Sequence, residues 1–155
     1  MIAHLESLFP GLRGSAYEVS SPPDDVYNCI AWAANDKLRW WWPDMLKKRY
    51  WAAGVLRDET LAGFQAAFAS LGYAVCDGEG LEAGFEKVAL FADADGFPTH
   101  AARQLDSGRW TSKLGEIEDI EHALRDLEGV EYGSVVLVMK RSVPAAAGDA
   151  TKTEE

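Results

Sequence analysis

A chain of 155 residues is the size of one domain, and its 48% share of hydrophobic residues is enough for a core without disulfide or metal staples. Its formal net charge of -10 argues against nucleic acid and against an anionic membrane surface, since both are bound through clustered Lys and Arg. A neutral substrate or a basic protein partner suits that charge better.

The opening residues, Met1-Ile2-Ala3-His4-Leu5-Glu6, lack the basic and apolar regions of a signal peptide, and no apolar run is long enough to cross a bilayer. These features suggest a cytoplasmic protein whose two cysteines, Cys29 and Cys76, are reduced. The three histidines are scattered and no Cys/His spacing suits a metal, so neither a metal nor a cofactor is expected.

Residues 1–20 read as irregular, broken by Pro10, Gly11 and Gly14. Ser20-Ser21-Pro22-Pro23-Asp24-Asp25 resembles a helix entry, and a helix is expected over 25–34. A second helix is predicted from Asp58, with Leu61, Phe64, Phe68 and Leu71 at helical spacing and Gly72 as its stop. Residues 73–76 and 87–92 read as strands. Residues 99–105 and 109–113 read as a hairpin about Asp106-Ser107-Gly108. Residues 117–127 fit an acidic amphipathic helix, and 134–140 a buried strand. The reading is an α+β class: one domain over 1–141, N-terminal helices packed on a mostly antiparallel sheet, and a disordered tail over 142–155.

Cys29 falls early in the first of these helices. Unpaired N–H groups and the helix dipole there favour a thiolate, which is the nucleophilic form. Val26, Cys29, Ile30 and Ala33 also lie on one helical face, so Cys29 equally fits a core residue, and Asp24 and Asp25 would raise its pKa. His100 starts a strand after a Gly/Pro turn. It suits a general base beside the thiol, or an ordinary surface histidine. A three-residue hairpin loop would put Trp110 and Ser112 on the His100 face, and a two-residue turn would put Thr111 and Lys113 there instead. Asn28, with the Cys29 N–H, is a candidate oxyanion donor, or else a surface amide.

Trp40-Trp41-Trp42 cannot all point inward from one element. They form a groove wall, with Trp110 a further candidate substrate contact, or else they divide into two core residues and one rim residue. Arg39 and Lys47-Lys48-Arg49-Tyr50 form the one basic cluster in the sequence, which fits a substrate-carboxylate site or a solvated helix face. His122, among Glu118, Asp119, Glu121 and Asp126, reads as a surface residue whose charged form is favoured.

Asn28-Cys29-Ile30-Ala31-Trp32-Ala33, Thr99-His100-Ala101-Ala102-Arg103-Gln104 and Gly108-Arg109-Trp110-Thr111-Ser112-Lys113-Leu114-Gly115 are together similar to an uncharacterised family of bacterial proteins, over residues from about 17 to 140. More widely, a helix-borne cysteine followed by a strand-borne histidine resembles the papain-like fold and its NlpC/P60 and CHAP-type amidases. That resemblance implies Cys29 as nucleophile, His100 as base and a polar orienter on the next strand. The Asn, Asp, His or Gln usual there is missing, and Ser112 is the preferred substitute. The reading is a cysteine peptidase or amidase. The alternative is a non-catalytic acidic interaction, immunity or regulatory module on the same fold.

Overall fold

The computed structural model describes residues 3–143. The expected tail from residue 144 lies outside the described residues, whereas Ser142 belongs to the last strand. The segment read as irregular forms a short helix α1 (Ala3–Leu8), a 3-10 turn (Pro10–Leu12) and a strand β1 (Glu18–Ser21). Ser20 and Ser21 are therefore strand residues and do not cap a helix.

Helix α2 is Cys29–Ala33, about half the expected length. Its cap is Asn28, whose Oδ1 accepts from Ala31 N at 3.1 Å. Helix α3 (Leu61–Ala69) is capped by Thr60, whose Oγ1 accepts from Gly63 N at 3.1 Å. The remaining strands are β2 (Ala74–Cys76), β3 (Phe85–Ala92), β4 (Pro98–Gln104), β5 (Trp110–Lys113), β6 (Asp119–His122) and β7 (Ser134–Ser142). They join β1 in one seven-stranded sheet ordered β1-β6-β5-β4-β3-β7-β2, with every neighbouring pair antiparallel. This is an α+β domain. No helix among the described residues is long and apolar enough to cross a membrane.

Residues 117–127 are not a helix. Leu114 N donates to Glu118 O and Ile117 N to Leu114 O, which turns the chain back on β5. The backbone of Asp119–His122 then pairs with both β5 and β1, and only Leu124–Leu127 coils, as a 3-10 turn. Two flanking sheet ladders supply more backbone bonding than a lone acidic helix would, and tertiary context overrides the local period.

Two cores lie on opposite faces of the sheet. Cross-strand partners Phe91 and His100, Ala89 and Ala102, Gln104 and Trp110, Trp110 and His122, and Ser112 and Ile120 define one face. It is covered by Leu5, Phe9, Leu12, Leu124 and Leu127 from α1 and the 3-10 turns. The other face carries Val88, Leu90 and Ala101 under α2, α3 and the aromatic segment around Trp41 and Trp51.

Candidate functional site

Leu105 N donates to Arg109 O and Gly108 N to Leu105 O, so Asp106-Ser107-Gly108 closes a three-residue loop. That register brings Ser112 onto the His100 face. Ser112 Oγ lies 2.9 Å from His100 Nε2 and 2.7 Å from His122 Nε2. All three side chains are fully buried. His100 also stacks on Tyr132, with ring centroids 4.1 Å apart and planes 8° apart, and meets Phe91 edge-on at 5.1 Å. Its Nδ1 is buried and has no hydrogen-bond partner among the described residues.

Burial holds the His100 pKa well below the ordinary histidine value, and the nearby His122 adds to the effect. Burial likewise pushes His122 down to about 4. The sequence reading of His122 as a charged surface residue is therefore corrected. The strand pairing of β6 turns its ring inward, while Glu118 and Glu121 engage His4 and Arg109 at 3.0 and 3.2 Å. The spacing of Ser112 and His122, directed to one face of adjacent strands, was the signal for this cluster, and it was hidden by the helical reading.

Cys29 approaches the same stretch of β4 from the other face. It belongs to the core of Ile30, Val88, Leu90 and Ala101 and is 7% exposed. Burial pushes its thiol up to about 11, against the pull of backbone groups of Ala101, Ile30 and Cys29 itself and of the Lys113 charge. A helix of five residues has too few aligned peptides for a strong dipole, so the expected thiolate is not the resting form. The β4–β5 ladder pairs Arg103 with Thr111 and Gln104 with Trp110 and stops short of Ala101. The sheet is thus unpaired between β4 and β5 where Cys29 and His100 meet it from opposite sides. Both cysteines are free thiols, and Cys76 is partly exposed.

The other sequence candidates fall elsewhere. Asn28 is buried, donates from Nδ2 to Trp41 O at 2.8 Å, and accepts from Trp41 N at 3.1 Å as well as from Ala31 N. It is a structural cap and not a surface amide, and using it as an oxyanion donor would break those ties. Trp41 (4% exposed) and Trp110 (3% exposed) are core residues on opposite faces, so neither lines a groove. Trp42 packs edge-on against Phe64 at 5.2 Å, and Trp40 lies at the rim beneath the Arg49 guanidinium, 5.0 Å from its ring centroid. Lys47, Lys48 and Arg49 are exposed on an irregular loop, not on a helix.

A second buried polar group adjoins α2. Tyr27 Oη donates to Asp119 Oδ2 at 3.1 Å, and Lys113 Nζ donates to Asp24 O at 2.5 Å and to Gly115 O at 2.6 Å. Lys113 Nζ also sits 5.1 Å from the Tyr27 ring centroid. Among the described residues no group of three or more His, Cys, Asp or Glu is arranged to hold a metal ion.

The model of the family described as Domain of unknown function (DUF7689) matches residues 18–140, which include Cys29, His100, Ser112 and His122. The chain belongs to this family. The matched span of DUF7689 runs from β1 into β7, takes in β2 to β6 entirely and ends two residues before the end of β7. No curated protein and no solved structure matches the chain.

Proposed function

We propose that this DUF7689 domain is a cysteine hydrolase of amide or peptide bonds, built on an arrangement that resembles the papain-like fold. The observation that carries the reading is the unpartnered Nδ1 of a histidine held by Ser112, beside a stretch of β4 that a helix-borne thiol also contacts. The resting pair is neutral. Cys29 Sγ attacks the carbonyl carbon and its proton passes to His100 Nδ1. The C–N bond then breaks, Nδ1 returns that proton to the leaving amine, and an acyl-thioester remains on Cys29. Water, deprotonated by Nδ1, hydrolyses the thioester and restores the thiol. The backbone N–H groups of Cys29 and Ala101 are better oxyanion donors than Asn28, whose amide is committed to the cap.

The test is acylation by p-nitrophenyl acetate at neutral pH, read by p-nitrophenolate release and by the mass of the Cys29 peptide. Wild type and C76S should give a burst of about one equivalent with the acetyl group on Cys29, whereas C29S gives none and H100A is slowed at least tenfold. Acetylation at Cys76 alone, or a burst indifferent to His100, overturns the reading.

A second reading rests on a different observation. Met45 and Leu56, 80% and 76% exposed, line one surface concavity with Lys47, Val55 and Arg57, and Leu46, 75% exposed, adjoins Met45 in the chain. An apolar patch with a basic rim, on an acidic domain whose thiol is buried, suits a non-catalytic interaction module. Absence of acylation at Cys29 together with a stable pull-down partner lost in L46D favours that reading.

A further inference from the structure

His122 makes no contact with Cys29 in any reading above, yet its ring is as buried as that of His100 and is linked to it through one hydroxyl. The directions of these hydrogen bonds follow from elementary valence. His122 Nδ1 lies 2.7 Å from Ala123 O, and a carbonyl only accepts, so Nδ1 carries the hydrogen. A neutral imidazole has one N–H, which leaves His122 Nε2 bare. Ser112 Oγ, 2.7 Å away, must therefore donate to it. Having spent its only hydrogen, Ser112 accepts from His100 Nε2–H at 2.9 Å. His100 Nδ1 is then left as a lone pair, and no other group among the described residues satisfies it.

We propose that His122 is a positioning residue that acts through Ser112 to lock His100 as the Nε2–H tautomer, keeping its Nδ1 free to accept a proton. The inference adds to the proposed hydrolase a residue that touches neither thiol nor substrate. It also stands apart from that reading, because the tautomer is fixed whether or not Cys29 is ever acylated. The chain is anchored at a backbone carbonyl, which cannot reverse its role, so polarity runs one way from Ala123 O to His100 Nδ1. Remove the imidazole acceptor, and the Ser112 hydrogen is free to turn toward His100 Nε2. His100 would then carry its own hydrogen on Nδ1, and the nitrogen that the proposed hydrolase uses as its base would no longer be a free lone pair.

Long-range proton–nitrogen NMR of the full chain with nitrogen-15 histidine, at neutral pH, reads the two tautomers directly. Wild type should show His122 as Nδ1–H and His100 as a single Nε2–H form. H122L should lose the single His100 form, moving it wholly or partly to Nδ1–H. H122Q, whose side-chain oxygen can accept from Ser112, should restore it. A wild-type His100 with hydrogen on Nδ1 overturns the proposal, as does an H122L chain that folds and keeps Nε2–H. If H122L does not fold, S112A gives the second reading: loss of the single form supports the relay and retention overturns it. Failure of Cys29 acylation with the tautomers as stated overturns the hydrolase alone.

Discussion

The His100 ring lies flat against Tyr132, 4.1 Å between centroids and 8° between planes, so that this aromatic side chain covers one face of the imidazole. Tyr132 is placed by the loop that leads into β7, where Thr99 Oγ1 donates to its carbonyl and Gly133 follows at φ 76. A Cβ at Gly133 would stand 2.0 Å from Ala92 O, so the backbone beside Tyr132 has no room to shift.

Tyr132→Ala should therefore uncover His100. Loss of a large aromatic from a partly buried site costs about 3 kcal/mol, read as a lower urea midpoint with an unchanged slope. Because burial is the main cause of the depressed His100 pKa, its NMR titration midpoint should rise toward the ordinary value. Tyr132→Phe keeps the stacked ring and should leave that midpoint in place. An unchanged midpoint in Tyr132→Ala would mean that something other than this ring excludes water.

Acid should weaken the fold in a defined window. His122 titrates near 4 when folded and near 6.5 when unfolded, so between these values the unfolded chain binds more protons. Stability is then greatest above 6.5 and falls as pH drops toward 4, by roughly 3 kcal/mol from this group. His100, displaced in the same direction, extends the fall to lower pH. Urea melts across pH 4–7 measure it, and H122Q should flatten the slope in that interval. A wild-type stability that is level from 7 to 4 contradicts the burial of both rings.

Much of this arrangement is legible in the sequence. The apolar run of β3, the β7 strand and the β4–β5 hairpin follow from β-branched and aromatic composition and from a Gly-containing loop whose length sets the register. That register alone brings Ser112 to the His100 face. The partner on β6 is not legible. Ile117, Ile120, Leu124 and Leu127 satisfy a helical period, and a strand of four residues is too short to show its own alternation. What decides the strand is pairing with β5 and β1, a long-range term absent from any local window. The extent of α2 failed for a similar reason: Pro22-Pro23-Asp24-Asp25 resembles a cap, but the Asn28 side chain caps later because it also finds the Trp41 backbone.

That double duty makes Asn28 costly to replace. Asn28→Ala removes the α2 cap and strands the buried Trp41 N–H and C=O, at about 1 kcal/mol for the cap and 1–3 kcal/mol for each buried group left unpaired. Asn28→Asp keeps an oxygen for Ala31 and Trp41 N–H but cannot donate to Trp41 O, so its loss should be intermediate. Chemical denaturation orders the three proteins. Equal stability of wild type and Asn28→Ala would remove the cap from the account of how Cys29 is held.

The two thiols should separate by environment. Cys29 is 7% exposed with its pKa pushed up to about 11, whereas Cys76 is partly exposed near the end of the sheet. Alkylation by iodoacetamide draws on the thiolate, and burial holds Cys29 as the thiol, which in the proposed mechanism gives up its proton to His100 only as it attacks an acyl carbon. Iodoacetamide at pH 7.5 should therefore label native Cys76 well before Cys29, and Cys29 labelling should climb with pH toward 11 for as long as the fold survives. In denaturant the two should react at similar rates. Peptide mass spectrometry over a time course gives both rates in one sample. Fast native labelling of Cys29 at neutral pH, abolished in H100A, would show a preformed thiolate–imidazolium pair and replace the neutral pair in the proposed mechanism, with Ser112 and His122 then holding a charged ring instead of a neutral one.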